Sequence, residues 1–397
     1  MNAKRTCPIC SSTTVDHLHT QTFELPKDHP LSAGYSVVTC HRCGFVYADT
    51  TTTQTEYDRF YKDHSKYEDA KTGTGGVENP FDWKRQQETA LQISNEIKDK
   101  NARIIDMGCA NGGILKALKE LGDANLCGID PSIICVKNTA KLGVEAYQGS
   151  LFLPFEGDAC DCLILSHTLE HVQDLQGALH WINSYLKDNG VVYVETPDAT
   201  RYKEYMYAPL QDFNTEHINH FSLTSLQNLM GSQKFSLLKS GTKDLTISPG
   251  LYYPALFGFW KKAEMPDQIQ IINDPLLSQN IKEYISVSHK LMKGIENRII
   301  ALLSRSPEII VWGTGQLAMK LLAETALARA NILAFIDNNP VHYGQVLYGK
   351  PILSPMELAK WNAPILIATL LHHEAIVDQI QAMGLKNEIV LLKGESE

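Results

Sequence analysis

The chain has 397 residues, of which 44% are apolar and 20% are charged, and its formal net charge is −9. This composition is that of a globular protein and excludes collagen-like, coiled-coil and wholly disordered chains. The negative charge argues against nucleic acid or an anionic membrane as a partner, because both need clustered positive charge. No apolar run approaches the roughly 18 residues of a membrane span.

The start of the chain, MNAKRTCPIC, lacks the apolar core of a secretory signal peptide. Nine cysteines are an odd number for a disulfide framework, and a chain of this length does not need one. We therefore expect a cytoplasmic protein with reduced thiols, present as a monomer or a homodimer.

The first part of the chain is marked by two pairs of cysteines. Cys7 and Cys10 form one Cys-x-x-Cys knuckle, and Cys40 and Cys43 form a second. Two such knuckles complete a tetrahedron of thiolates around Zn²⁺ and leave no open coordination position, so the site is structural. A redox dithiol or a fortuitous spacing is the alternative. We predict a zinc-binding module over residues 1–60.

Residues 61–250 have the pattern of an α/β domain. A Thr-Gly-Thr-Gly-Gly stretch at 72–76 predicts a flexible lid, and residues 234–247 predict two short strands around a Gly turn. Between them, strand-length apolar runs alternate with helix-length amphipathic segments, which predicts right-handed βαβ units and a parallel sheet. These runs are Arg103–Met107, Leu126–Ile129, Val144–Tyr147, Cys160–Leu165 and Val191–Glu195.

The last third of the chain divides into two further parts. In residues 251–305, apolar side chains recur every three or four positions from Leu277 to Leu302. This spacing predicts one long amphipathic helix, which serves as a helical connector or as a dimer face. Over residues 306–397 the βαβ pattern restarts, and it predicts a second, smaller doubly wound domain.

A glycine-rich turn follows the first strand of the larger α/β domain. Asp106 ends that strand, Gly108 and Gly112 lead into a helix, and Asp130 ends the next apolar run. An acid at the place of Asp130 can take both hydroxyls of a ribose. The pattern alone fits NAD, FAD or S-adenosylmethionine (SAM). Asp106 favours SAM, because a pyrophosphate would be repelled there whereas the SAM sulfonium and ammonium are cationic.

With the segment from Ser166 to His171, these residues resemble the class I SAM-dependent methyltransferases. Asp106-x-Gly-x-Ala-x-Gly112 matches the first motif of that family, and the resemblance places His167 near the methionine end of the cofactor. Where the family often has an acid for the adenine amino group, this chain has Ser150 and Leu151. The cofactor site implied by the resemblance comprises Asp106, Gly108, Cys109, Gly112, Asp130, Ser150, Leu151 and His167.

A third motif, running from Asn214 to Ser222, lies between the fifth predicted strand and a helix that Ser222 should cap. Such a segment follows the carboxyl end of a strand, where open α/β sheets bind ligands. Histidine has an unperturbed pKa suited to removing a proton near neutrality, so we predict His217 as a general base with Glu216 beside it. The alternative is that His217 and His220 only tie down a loop.

The three motifs in this order resemble the three-part sugar methyltransferases, whose nearest described members are C-methyltransferases of nucleotide-linked keto-sugars. That family has a four-cysteine zinc module, a SAM domain and a C-terminal Rossmann-like domain that frames the substrate. The resemblance implies the fold class: α/β, with a Rossmann-like class I methyltransferase sheet and those two additional modules. It also implies a sugar acceptor, nucleotide-linked or not, near Asn214 and His220. Asn214 replaces the tyrosine of the family, so methylation at carbon or at oxygen stays open.

The C-terminal domain carries its own glycine-rich pattern. Gly313-x-Gly315-x-x-Ala318 precedes Asp337, which invites a reading as a dinucleotide site, although a lone fingerprint of this kind is weak. One rival function is therefore an NAD-dependent sugar oxidoreductase or epimerase that uses this domain. The other is a non-catalytic protein of a carbohydrate pathway with a relic SAM site.

Overall fold

The structure, a computed structural model, describes residues 1–63, 75–152, 158–263 and 270–393. The predicted lid at 72–76 falls largely outside these residues. Contacts divide the chain into two compact units, each built from three separate stretches. Unit 1 is Met1–Leu18, Val37–Tyr205 and Glu216–Ile281, and unit 2 is His19–Ser36, Met206–Thr215 and Lys282–Glu397.

The strands of the described residues are β1 (Val15–Thr22), β2 (Gly34–Cys40), β3 (Val46–Asp49), β4 (Arg103–Met107), β5 (Asn125–Asp130), β6 (Glu145–Gln148), β7 (Cys160–Ser166), β8 (Leu186–Pro197), β9 (Asn219–His220), β10 (Phe235–Ser248), β11 (Leu251–Lys262), β12 (Glu308–Trp312), β13 (Asn331–Ile336), β14 (Val346–Leu347), β15 (Lys350–Leu353), β16 (Ile365–Ile367) and β17 (Ile389–Leu391). The α-helices are α1 (Gln54–Asp63), α2 (Pro80–Glu96), α3 (Gly113–Glu120), α4 (Ile133–Lys141), α5 (Leu175–Tyr185), α6 (Leu223–Ser232), α7 (Pro275–Arg305), α8 (Gln316–Glu324) and α9 (His373–Ala382).

A seven-stranded sheet forms the centre of unit 1. Its strand order is β10-β11-β8-β7-β4-β5-β6, and the five strands from β8 to β6 are parallel. Helices α2 and α3 pack on it through a buried apolar cluster that includes Ile93, Leu115, Ile104 and Phe259. Since parallel strands joined by crossover helices give this arrangement, the predicted α/β fold with a methyltransferase-type sheet is confirmed.

The edge hairpin of this sheet differs from the prediction. Residues 234–247 were expected to form two short strands, but they lie in the single 14-residue strand β10. Its partner is β11, whose residues were assigned to the helical connector. The reason is burial. β11 pairs with β10 along one edge and with β8 along the other, and its apolar run PALFGFW is buried in this position. The helix itself starts later, at Pro275.

Unit 2 contains a second sheet, in the order β14-β15-β13-β12-β16-β17, with all strands parallel except β14. One apolar cluster on this sheet includes Ile295, Ile299 and Leu302 of α7, and another includes Ile376 and Ile380 of α9. The predicted second parallel-sheet domain at the C-terminus is therefore confirmed. No helix of the described residues is both long enough and apolar enough to cross a membrane.

Unit 2 also holds the short stretch Met206–Thr215 by hydrogen bonds. The Tyr284 hydroxyl accepts from the Asp212 amide at 3.1 Å, and the Gln21 side chain donates to the Phe213 carbonyl. Gln316, the first residue of α8, bonds Thr215 twice: its Oε1 accepts from the Thr215 amide at 3.3 Å, and its Nε2 donates to the Thr215 hydroxyl at 2.8 Å. The backbone that precedes Glu216 is thus fixed within unit 2.

Candidate active site

The glycine-rich turn between β4 and α3 adopts backbone that favours glycine. Gly108 and Gly112 have φ angles of 83° and 75°, in the left-handed region. The Gly108 amide donates to the Ile129 carbonyl at 2.8 Å, so the turn folds against the end of β5. A Cβ atom on Gly108 would lie 3.1 Å from the Thr168 hydroxyl oxygen, which leaves little room for a side chain.

Two buried carboxylates lie at the ends of the adjacent strands β4 and β5. Asp130 accepts from the Ala110 amide and from the Ser132 amide, each at 2.9 Å. Burial, together with the negative charge of Asp130, raises the pKa of Asp106 to about 7. Such a pair favours a cationic ligand, because a positive charge between them offsets both the burial and the mutual repulsion.

A cavity of about 290 Å³ in unit 1 opens over this turn. The predicted cofactor residues that line it are Asp106, Gly108, Cys109, Asp130, Ser150, Leu151 and His167. Gly112, the eighth, is the N-cap of α3. The predicted base His217 lines the same cavity. Seven residues predicted for a cofactor and one predicted for proton transfer thus share one space.

His167 is held by buried acids. Its Nδ1 lies 3.1 Å from Oε1 of Glu170, and its Nε2 lies 3.3 Å from Oε1 of Glu195. Burial alone would lower the pKa of His167, but the two carboxylates outweigh it and raise that pKa to about 9. Glu195 in turn accepts from the ammonium group of Lys243. The two carboxylates therefore favour the imidazolium form of His167 at neutral pH.

His171 and His217 form a second group of side chains near Glu170. Their ring centroids are 4.8 Å apart, with the planes at 71°. His171 Nδ1 lies 3.1 Å from the Glu216 carbonyl oxygen and 2.8 Å from the Tyr61 hydroxyl. A carbonyl only accepts, so Nδ1 carries the proton and Nε2 of His171 carries the lone pair. That Nε2 is 4.0 Å from Oε1 of Glu170.

The pair is suited to proton transfer. Glu170 is 1% exposed, and its carboxylate, His171 and His217 each offer an atom within 4.8 Å of the others. A proton taken up by either imidazole creates a cation beside this buried carboxylate, which stabilises it. A divalent metal ion bound by the same three residues would occupy the lone pairs that a base needs, so the two uses exclude each other.

Three predicted residues are not among the described residues that line this cavity. Glu216 is buried, and its backbone carbonyl oxygen, not its carboxylate, contacts Nδ1 of His171. His220 is fully buried in β9, with its Nδ1 3.4 Å from the Tyr202 hydroxyl, and burial lowers its pKa to about 3. Asn214 belongs to unit 2, where its carbonyl accepts from the Tyr35 hydroxyl at 2.8 Å.

Several cavity residues were not singled out from the sequence. Asp58 and Tyr61 of α1 line the cavity, as do Glu170 and His171. For His171 the sequence holds one signal, its spacing of four from His167, but this spacing does not connect it to His217. For α1 no local pattern connects Tyr61 to His171, 110 residues later, because this contact is made only by tertiary folding.

The four paired cysteines converge in unit 1. Sγ of Cys7 lies 3.6 Å from that of Cys43, and Sγ of Cys10 lies 3.5 Å from that of Cys40. All four Sγ atoms are within 4.8 Å of one another and all four residues are buried. A tetrahedron with Zn–S bonds of about 2.3 Å has S–S edges of about 3.8 Å, so the cluster matches the size of a zinc site.

Comparisons with known proteins agree with this architecture. A family model described as a methyltransferase domain matches residues 83–240, and one described as C2185-like, N-terminal, matches residues 305–391. The human protein named arginine-hydroxylase NDUFAF5, mitochondrial, is 27% identical over 192 residues. That alignment covers 45% of this chain and 54% of the human protein, so the chain spans about half the length of this relative.

Two solved structures are similar to the chain over about half its length. A SAM-dependent methyltransferase of Thermotoga maritima, a possible histamine N-methyltransferase, is 18% identical with a TM-score of 0.37, covering 53% of this chain and 95% of that one. A SAM-dependent methyltransferase of Methanosarcina mazei is 16% identical with a TM-score of 0.37, covering 43% and 97%. Residues 83–240 thus match a methyltransferase domain, and the seven-stranded sheet to which they contribute is of the methyltransferase type.

Proposed function

We propose that this chain transfers the methyl group of SAM to a carbon or oxygen atom of a small-molecule acceptor, a sugar in free or nucleotide-linked form. One observation carries the proposal. The glycine-rich turn with its two buried carboxylates and the His171–His217 pair line the same cavity, so a cofactor site and a base share one space.

The residues fit SAM by charge. Asp106 and Asp130 are buried acids, which a cationic ligand would suit, and Asp130 ends β5 where a ribose can be bound. His167, held by Glu170 and Glu195, lines the same cavity and would lie near the methionine end of SAM. When bound, SAM supplies an electrophilic methyl group on a sulfonium.

The residues of the chain then orient the acceptor and take its proton. His217 removes the proton from the acceptor carbon or hydroxyl, and Glu170 stabilises the imidazolium that results. His171 packs edge-on against His217 and fixes the plane of its ring. Most of the remaining acceleration comes from holding the two reactants in line within a small cavity.

The test is an acceptor screen with S-adenosylhomocysteine as the readout, using nucleotide-sugars and free sugars. His217→Asn should slow methylation about 10²–10⁴-fold, the usual contribution of a general base. His180→Asn, an exposed histidine of α5, is the matched control and should keep full activity. SAM binding without turnover on any sugar would contradict the acceptor class, and an active His217→Asn variant would contradict the base.

We further propose that Cys7, Cys10, Cys40 and Cys43 bind one structural Zn²⁺ per chain. Metal analysis of the purified protein should give a ratio near one. Cys40→Ser should lose the metal and destabilise the first 50 residues, because metal binding contributes folding free energy there. Cys127→Ser, at a buried cysteine of β5 outside the cluster, should keep the metal. A zinc ratio well under one in metal-replete protein would refute the site.

A second candidate function is hydroxylation, and the composition of the Glu170, His171 and His217 cluster favours it. Two histidines and one carboxylate are the ligand set of non-haem iron oxygenases, and the human relative carries the name of an arginine-hydroxylase. Anaerobic titration with Fe²⁺ separates the candidates. Tight Fe²⁺ binding that is lost in His171→Ala supports hydroxylation. If the wild-type protein binds Fe²⁺ no more tightly than His171→Ala, the result supports methyl transfer instead.

A further inference from the structure

Arg5 connects the four-cysteine module to the two segments that carry the histidine pair. It lies two residues before Cys7 and is 6% exposed. Burial lowers the pKa of its guanidinium to about 10, so the group stays charged at neutral pH. A buried cation needs several acceptors to offset its lost hydration, and the position of those acceptors shows what Arg5 holds.

The Ala48 carbonyl accepts from Nη1 of Arg5 at 3.5 Å, and the other acceptors come from two stretches of chain far apart in sequence. Nη2 of Arg5 donates to the Val172 carbonyl at 3.3 Å and to the Gln173 carbonyl. Nη1 donates to the Ile218 carbonyl at 3.4 Å, and Nη2 also donates to Oδ1 of Asn219 at 3.1 Å. One guanidinium thus bonds the residues directly after His171 and the residues directly after His217.

Asn219 completes the connection. It is 1% exposed, and its amide Nδ2 donates to the Leu169 carbonyl at 2.9 Å and to the Val172 carbonyl at 2.7 Å. The Ile218 amide also donates to the Glu170 carbonyl at 2.8 Å. The backbones on either side of Glu170, His171 and His217 are therefore joined by one buried network with Arg5 at its centre.

The module side of Arg5 is fixed as well. Its backbone amide donates to Oδ1 of Asp49 at 2.7 Å, and its carbonyl accepts from the Tyr47 hydroxyl at 3.0 Å. The Gln176 side chain of α5 donates to the carbonyls of Pro8 and Ile9 in the first knuckle, each at 3.0 Å. Movement of the first knuckle would therefore displace Arg5, and with it the network.

We propose that Arg5 is a positioning residue for the His171–His217 pair, and that through Arg5 the four-cysteine module sets the distance of this pair from Glu170. The planar guanidinium spreads its N–H donors over several directions and so reaches all five acceptors, whereas a lysine ammonium has three donors on a single nitrogen. Charge alone is therefore insufficient, and Arg5→Lys separates geometry from charge. The proposal rests on the proposed function only in giving His217 its role.

The test measures the histidines directly, in cofactor-free protein without an acceptor, so it can fail independently of the proposed function. With ¹³C-labelled histidine, the titration midpoints of His171 and His217 are followed by NMR, assigned with His171→Asn and His217→Asn. In Arg5→Lys both midpoints should fall by about half a pH unit or more, because the imidazolium loses part of its attraction to Glu170. Amide exchange over residues 216–219 should quicken about tenfold.

Arg42→Lys is the matched control, because Arg42 belongs to the same module and its Nη1 donates to the Cys10 carbonyl at 3.3 Å. It should leave both midpoints and the exchange unchanged. If Arg5→Lys does not fold, Asn219→Asp, which keeps the acceptor for Arg5 but loses the donor to Leu169 and Val172, takes its place. Wild-type midpoints in every folded variant would overturn the proposal.

Discussion

The two glycine-rich turns, one after β4 and one after β12, are built alike and carry different charges. The Gly108 amide donates to the Ile129 carbonyl at 2.8 Å, and the Gly313 amide donates to the Ile336 carbonyl at 2.7 Å. In each case the residue directly after that isoleucine is an aspartate. Asp130 and Asp337 both accept from the amide of their own turn and from the amide two residues after themselves.

The difference lies two residues before the first glycine. Asp106 stands there in the first turn, and Val311 stands there in the second, fully buried in the apolar core. The second turn is followed by Gln316, which is engaged with Thr215. The two turns thus share their backbone geometry, and they differ in the charge at the end of the strand that precedes them.

The largest expected difference between the turns follows from adding a side chain to the first glycine. Gly108→Val forces a β-branched residue into a φ of 83° with Thr168 close by, and SAM affinity should fall more than about 100-fold. Gly313→Val imposes a similar strain at a φ of 105° and should leave SAM affinity within about twofold. Calorimetric titration of both variants checks this, and equal losses would break the comparison.

A smaller difference is expected when the aspartates that accept hydrogen bonds from the two turns are replaced by alanine. Asp130→Ala removes charge-assisted hydrogen bonds to a ribose, each worth roughly 1.5–3 kcal/mol, so SAM should bind at least about tenfold more weakly. Asp337→Ala should not change SAM binding, and the wild-type protein should bind one SAM per chain. A stoichiometry near two, or normal binding by Asp130→Ala, would contradict the assignment of the cofactor to the first turn.

The smallest effect is a pH dependence that only the first turn should give. Because the pKa of Asp106 is raised to about 7, this group loses its negative charge as the pH falls below 7. SAM affinity should therefore decrease by up to about tenfold per pH unit between pH 7 and pH 5. Asp106→Asn should bind SAM more weakly, with a flat profile over this range. A wild-type profile that is already flat would separate Asp106 from cofactor binding.

Asp106 also makes the stability of the cofactor-free protein depend on pH. Here a rise in pH lowers the stability, whereas it raises the affinity for SAM. The pKa of Asp106 is raised on folding, so the folded state binds more protons than the unfolded state between about pH 4 and pH 7. The contribution of Asp106 to stability is full below about pH 4 and is lost as the pH rises through 7. Comparing the pH dependence of unfolding in wild type and Asp106→Asn measures this contribution.

Much of the fold was predictable because it depends on local patterns. The strand from Arg103 to Met107 and the turn after it follow from an apolar run and glycines, and Ser222 caps α6 as predicted, with a capping box. The β10–β11 hairpin was assigned incorrectly because its aromatic run is buried as a strand only through β8, which lies more than 50 residues earlier.

In the cavity, the arrangement around the glycine-rich turn was predictable from the sequence, and that around the histidine pair was less so. Asp106, Gly108 and Asp130 fall within one βαβ unit, so their spacing in sequence reflects their spacing in the fold. The residues near His217 come from the short 3₁₀ helix Leu169–His171, far away in the chain. The carboxylate near its ring belongs to Glu170 and not to the neighbouring Glu216. No sequence period reports such contacts.

The division of unit 2 into three stretches has a consequence for protein engineering. A chimera that exchanges everything after residue 306 would transplant α8 with Gln316 and Lys320, but would leave Gln21 and Thr215 from the original parent. Gln316 bonds Thr215, and Lys320 donates to Gln21 at 2.7 Å. A functional graft must therefore take residues 19–36 and 206–215 from the same donor as the C-terminal portion.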